Sequence, residues 1–137
     1  MTSLVVDTSA LIAILANEEE ALSFSRAIVS AHSAMVSSAT VHEANCVVAR
    51  GSFGRSATDV ADLISDLDIR QISFAREQVD AARDAYVAFG RGSGHPARLN
   101  MGDCFSYALA RTRDLPLLFK GDDFIHTDIR PALAVDP

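Results

Sequence analysis

A chain of 137 residues, 49% of them hydrophobic, has the size of one domain and enough apolar side chain to bury a core, so it is neither a disordered tail nor a small disulfide scaffold. Its formal charge of −6, from 18 acidic and 12 basic residues, argues against a nucleic-acid binder that works through a broad basic face. No apolar run approaches the roughly 20 residues that would span a bilayer. Met1-Thr2-Ser3 passes straight into the first apolar stretch without a basic n-region, so no secretory leader is expected. Cys46 and Cys104 lie in helix-like apolar surroundings and read as buried free thiols, which fits a cytoplasmic location. Lys120 is the only lysine and the other cations are arginines. Arginine suits bidentate phosphate and carboxylate contacts, although a genome rich in G and C gives the same bias and is the weightier explanation.

Leu4-Val5-Val6 is a short apolar strand that delivers Asp7 at its end, and a helix follows from about Ser9 to Ala16, apolar all round and therefore buried. Asn17 is a cap for a second helix with Glu18, Glu19 and Glu20 in its first turn, continuing through Phe24, Ile28 and Val29. Ala34-Met35-Val36 reads as a second strand ending at Ser37-Ser38. Thr40-Val41-His42-Glu43 has the form of a capping box, and the helix behind it stops near Gly51. Gly51-Ser52-Phe53-Gly54 is a connection, and the spacing of Val60, Leu63, Ile64 and Leu67 predicts a helix from about Ser56 to Leu67. Ile69 to Ile72 gives a third strand. A longer helix from Ala75 to Phe89 carries Val79, Ala82, Tyr86 and Phe89 on one face. Gly90 to Pro96 breaks the pattern as a loop. Asn100-Met101-Gly102-Asp103 then opens a helix whose buried side offers Cys104, Phe105, Ala108 and Leu109. Leu115 to Phe119 forms a fourth strand, followed by Lys120-Gly121-Asp122-Asp123-Phe124, and a last short strand falls near Ile129 to Leu133. Strands alternating with helices predict a single α/β domain with a mainly parallel central sheet covered on both faces.

Acids recur at strand ends and helix starts: Asp7, Glu43, Asp103 and the pair Asp122-Asp123. Each alone has a structural explanation. Asp7 caps a helix, Glu43 completes a capping box, Asp103 does the same behind Asn100, and Asp122 or Asp123 sits in a turn. Together they say more, because the strand ends and following helix starts of a parallel sheet share one edge. Carboxylates gathered there repel one another and must protonate or hold a cation. An oxygen-only set with room for water suits Mg²⁺ or Mn²⁺. Such an ion activates water and neutralises charge on a phosphodiester, so metal-assisted hydrolysis of a phosphate ester is the expected chemistry.

Four segments carry a family resemblance: Val-Val-Asp-Thr-Ser-Ala at 5–10, Thr-Val-His-Glu-Ala at 40–44, Leu-Asn-Met-Gly-Asp-Cys-Phe-Ser-Tyr-Ala-Leu-Ala at 99–110, and Leu-Leu-Phe-Lys-Gly-Asp-Asp-Phe at 117–124, with Thr-Asp-Ile at 127–129. In this order and at these separations the chain resembles the PIN-domain ribonucleases, specifically the VapC toxins of bacterial type II toxin–antitoxin pairs. The resemblance implies a three-layer α/β/α sandwich and Mg²⁺-dependent endonucleolytic cleavage of RNA. It makes Asp7, Glu43 and Asp103 the main acids, with Asp7 and Asp103 as direct metal ligands and Glu43 at a second ion or the attacking water. The family's fourth acid usually directly precedes the phenylalanine, which favours Asp123, with Asp122 its rival. Thr8, Ser9 and Thr127 are expected to support the acids. The partners it implies are an RNA substrate, an antitoxin whose arm lies over the site and whose other domain binds DNA, and a second copy of the chain.

Arg91, Arg98 and Lys120 are candidates for contact with RNA phosphates, and His95 shares the glycine-rich loop with the two arginines; a mobile solvated loop is the plainer reading of that stretch. His42 points about 100° away from Glu43 along a helix, which weakens it as a general base, and His32 and His126 offer only surface or packing roles. Two rival functions remain open. A phosphatase of the aspartyl-phosphate class also begins with a strand ending in aspartate, but it needs a second acid where Ser9 stands. A catalytically silent module that binds a metal or a partner's arginine is the other, and the full set of acids disfavours it. A nucleotide-binding fold is excluded, because no glycine-rich phosphate loop follows the first strand.

Overall fold

The computed structural model describes residues 2–51 and 56–134, so the Ser52-Phe53-Gly54 part of the expected connection lies outside the described residues. Four strands, β1 (Leu4–Val6), β2 (Ala34–Ser37), β3 (Arg70–Ile72) and β4 (Leu117–Leu118), form one sheet in the order β3-β2-β1-β4. All three pairings are parallel. Helices α1 (Thr8–Leu15), α2 (Ala21–Ser30), α3 (Ser38–Arg50), α4 (Asp59–Asp66), α5 (Arg76–Phe89) and α6 (Met101–Arg113) fill the crossovers.

Alternation along the strands divides the core in two. Leu4 and Val6 of β1, Ala34 and Val36 of β2, and Leu118 of β4 pack with Leu11, Phe24, Ile28, Val48 and Val60 of α1 to α4. Val5, Met35 and Leu117 point the other way, onto Ala82, Ala85, Cys104, Ala108 and Leu109 of α5 and α6. Side chains of successive strand residues leave opposite faces of a sheet, so three-residue strands suffice to serve two helical layers. The result is an α/β/α sandwich. Each fully buried Val or Leu in these layers contributes roughly 1.5–3 kcal/mol of transfer free energy. Among the described residues no helix is long and apolar enough to cross a membrane.

The topology also locates a crevice. From β1 the chain builds outward through β2 to β3, then returns to place β4 on the other side of β1. The strand order reverses between β1 and β4, and ligands of open α/β sheets bind beyond the carboxyl ends of the strands at such a point. Asp7 follows β1 there, and the Lys120–Asp123 segment follows β4.

Several local expectations are corrected. Asn17 caps nothing: it takes a left-handed φ of 53° in the turn after α1, and α2 starts at Ala21. Thr40-Glu43 is not a capping box, because α3 begins at Ser38 with Ser37 as its cap, accepting from Ala39 N at 3.2 Å. Of the expected face of α5, Val79 and Tyr86 are exposed, and the buried positions are Gln78, Ala82 and Ala85. Small alanines let α5 lie close against α6, a choice that hydropathy alone does not reveal. Cys46 is exposed, with its sulfur 3.6 Å from Nε2 of His42, whereas Cys104 is buried. Burial and the neighbouring Asp103 push the Cys104 thiol up to about 12, which leaves it inert. The last expected strand is reduced to a single parallel bridge between Leu117 and Pro131.

Candidate active site

Asp7 is 4% exposed, and both of its carboxylate oxygens are engaged. Oδ2 accepts from the backbone N of Ser9 at 3.1 Å, capping α1, and from the Ser9 hydroxyl at 2.6 Å. Oδ1 accepts from the Ser106 hydroxyl at 2.5 Å. Ser9 Oγ in turn accepts from the backbone N of Lys120 at 3.0 Å, tying the end of β1 to the segment after β4. Burial raises the Asp7 carboxyl above the ordinary range, while the bonds from Ser106, Ser9 and the Thr8 backbone hold the rise back.

Asp103 stands in the first turn of α6. Its Oδ2 accepts from Asn100 N at 3.0 Å, and Asn100 Oδ1 accepts from Asp103 N at 2.8 Å, so a true capping box lies here. Capping and clustering are therefore not alternatives for this acid. Burial, then a hydrogen bond with Asp123 and the charges of Asp7 and Asp123, push the Asp103 carboxyl up to about 8, against the opposing bond from Asn100. That same bond places Asp123, rather than Asp122, beside Asp103.

Glu43 approaches from α3. Thr8 Oγ1 donates to its Oε1 in a short bond. Its other side lies over the backbone of α6, where a Cβ on Gly102 would collide with the carboxylate. Glycine at 102 leaves room for that carboxylate, which a side chain there would displace. Burial raises the Glu43 carboxyl and the Asp7 charge adds to this, while Thr8 and Arg50 oppose it.

The remaining candidates separate. Thr8 and Ser9 each bind an acid, Thr8 to Glu43 and Ser9 to Asp7. Thr127 spends its hydroxyl inside its own turn, donating to Phe124 O at 2.7 Å and accepting from Ile129 N at 3.2 Å. Lys120 turns its ammonium to Glu18 at 2.5 Å and Glu20 at 3.3 Å, which neutralises it beside the crevice. Arg91 and Arg98 line a recess with Asp122, Asp123 and His126. Exposed His42 reaches Cys46 on its own helix.

Two buried hydroxyls were not anticipated from the sequence. Ser106 and Thr40 are both fully buried, 3.4 Å apart, and Ser106 is the donor to Asp7. The available signal was spacing: Thr40 lies one turn before Glu43 on α3, and Ser106 one turn after Asp103 on α6.

Comparison with known proteins places the chain in a family. The PIN domain family model matches residues 4–130. Ribonuclease VapC42 of Mycobacterium tuberculosis is 42% identical over 129 residues, covering 94% of this chain and 98% of that protein. Ribonuclease VapC28 of the same organism is 42% identical over 130 residues, covering 95% and 98%. Among solved structures, M. tuberculosis VapC20, titled a sarcin-ricin loop cleaving toxin, aligns with a TM-score of 0.69 at 21% identity, over 93% of this chain and 99% of its own. A chain of a toxin–antitoxin complex from Klebsiella pneumoniae aligns with a TM-score of 0.68 at 15% identity, over 96% and 99%. These two distant structures share the fold, and the closer sequences fix the lineage: the chain belongs to the PIN-domain family, within its VapC ribonuclease branch.

Proposed function

We propose that the protein is a metal-dependent endoribonuclease and the toxin of a VapBC-type toxin–antitoxin pair. The observation that carries this reading is the gathering of Asp7, Asp103 and Asp123 at the switch point, with Glu43 beside them and no Lys, Arg or His in ion-pair contact with any of the four among the described residues. Asp7 and Asp103 are buried, and buried carboxylates without a cationic partner are costly, so a cation is the economical remedy.

The donor set fits Mg²⁺, with Mn²⁺ as a substitute: every candidate ligand is a carboxylate oxygen, as a hard dication prefers. Among the described residues no three His, Cys, Asp or Glu side chains form a ready metal cluster. One or two carboxylates, here Asp7 and Asp103, would hold the ion while water completes the shell. When bound, the ion supplies charge neutralisation on the phosphodiester and a more acidic water. The chain's own residues do the rest. Ser9 and Ser106 fix Asp7 so that its lone pairs keep one direction. Asp123 lies beside Asp103 and raises its carboxyl. Glu43, held through Oε1 by Thr8, has Oε2 left to orient an attacking water.

The test is cleavage of end-labelled RNA by purified protein with Mg²⁺, with excess EDTA, and by Asp7→Asn. Cleavage with Mg²⁺ alone is expected; full activity in EDTA or in the variant would sink the assignment. The aspartyl-phosphatase alternative requires a second acid two residues after Asp7, where Ser9 stands and spends its hydroxyl on Asp7. Mass spectrometry should accordingly find no phosphoryl adduct on Asp7.

The partner reading is an antitoxin with a basic arm. An acidic pocket in a chain of charge −6 suits such an arm by complementarity, and the Klebsiella pneumoniae neighbour is a chain of a toxin–antitoxin complex. DNA is then reached only through the antitoxin. A homodimer is part of the same proposal, and light scattering of the purified chain would reject it by returning a monomer mass.

A further inference from the structure

The loop between α5 and α6 is built, not loose. Its neck is closed by Arg91 N donating to Leu99 O at 3.0 Å and Leu99 N donating to Phe89 O at 2.9 Å. Ser93 Oγ donates to Gly90 O at 2.6 Å, and Ala97 N donates to His95 Nδ1 at 3.1 Å. The His95 ring stands edge-on to Phe89 with centroids 4.8 Å apart. Ala97 and Leu99 are buried under the loop. Gly92 and Gly94 take left-handed φ values of 87° and 86°, and so does Arg98, at 51°. An arginine persists there only where its surroundings determine the backbone.

This frame puts Arg91 and Arg98 on one recess of about 260 Å³, shared with His126 and with Asp122 and Asp123. Neither guanidinium forms an ion pair with those acids or any other among the described residues. Asp123 lines the recess and also lies beside Asp103, so the recess borders the carboxylate cluster.

We infer that Arg91 and Arg98, in the recess they share with His126, form a subsite for a backbone phosphate of single-stranded RNA flanking the scissile one. The inference rests on the endoribonuclease reading and adds where the strand runs. An enzyme of charge −6 has no global field to hold RNA, so attraction must come from a few cations placed beside the site. Two planar forks on a preformed loop suit phosphate oxygens. A strand whose scissile phosphate lies at Asp7 and Asp103 would meet this recess with a neighbouring phosphate, because Asp123 belongs to both.

The experiment measures binding without cleavage. Fluorescence anisotropy of a labelled single-stranded RNA on the Asp7→Asn protein in Mg²⁺ is followed as salt is raised, and compared with the same protein carrying Arg91→Ala or Arg98→Asn. Asparagine tolerates the left-handed backbone at 98 and protects the loop. Each change is expected to weaken binding about tenfold and to lower the salt slope by about 0.7, the value for one lost contact on a single strand. Arg98→Lys should keep the slope and lose part of the affinity. Unchanged affinity and slope in both variants overturn the subsite, as does loss of binding to a co-purified antitoxin without loss of RNA binding. Failure of the nuclease reading is separate, since it shows as wild-type protein that binds RNA and never cuts it.

Discussion

Ser106 donates a 2.5 Å hydrogen bond to Oδ1 of Asp7, joining residues 99 positions apart. It lies one turn beyond Asp103 on α6, and Thr40, one turn before Glu43 on α3, touches it at 3.4 Å. Three segments bearing three acids therefore meet on one buried hydroxyl. A hydrogen bond to a charged group contributes about 1.5–3 kcal/mol, and this one also restrains the Asp7 proton affinity. Ser106→Ala should lower stability by about that amount. It should also raise the Mg²⁺ concentration for half-maximal cleavage and move the acid limb of the pH–rate profile to higher pH. A variant destabilised with an unmoved pH limb and unchanged Mg²⁺ requirement would make Ser106 a packing residue only.

The adjacent acids Asp122 and Asp123 differ in what they touch. Asp123 bonds Asp103 and raises its carboxyl, whereas the backbone carbonyl of Asp122 accepts from Ile125 N at 3.3 Å in the turn. Asp123→Asn should cut cleavage tenfold or more, the scale of removing one charge-stabilising group. It should also bring the Asp103 titration, followed by carbon NMR of the carboxyl, down from about 8. Asp122→Asn should leave both nearly unchanged. The reverse pattern would reassign the fourth acid.

How much was legible follows from what each signal encodes. Asp7 could be found because a wholly apolar triplet ending in a carboxylate has few meanings, and the alternation of elements gave the sheet. The start of α3 was obscured because Ser37, Ser38 and Thr40 are all plausible caps. The structure uses Ser37 and buries Thr40 against Ser106, a tertiary contact that no local pattern contains. On α5, Ala82 of the expected face is buried, but Val79 and Tyr86 are exposed and the small Ala85 takes a buried place instead. Lys120 looked free because Glu18 and Glu20, its partners, lie a hundred residues earlier.

Gly102 offers a sharper separation of stability from activity. Alanine is favoured over glycine within a helix by about 1 kcal/mol, but its Cβ would strike the Glu43 carboxylate, the flexible end of a side chain. Glu43 would swing away and give up its bond from Thr8, at a cost of about 1 kcal/mol. Gly102→Ala should thus melt within a few degrees of wild type and yet cleave RNA far more slowly. A fully active variant would show that Glu43 does not need its position over α6.

The carboxylate cluster also fixes the pH dependence of stability without a divalent ion. Asp103 titrates near 8 in the fold, and Asp7 and Glu43 are likewise raised. Unfolded, all three return to roughly 4. Between those values the native chain binds more protons than the unfolded chain, so the linkage slope is negative and stability falls as pH rises. In EDTA the melting temperature should therefore decline from about pH 5 towards pH 8 as the native cluster is forced to ionise. Added Mg²⁺ should reverse the trend, because it binds the ionised form and stabilises the fold more at pH 8 than at pH 5. Asp103→Asn should flatten both effects by removing the most perturbed proton. A melting temperature in EDTA that rises over this range, or a Mg²⁺ response equal at both ends of it, would mean that the acids neither repel one another nor share a cation.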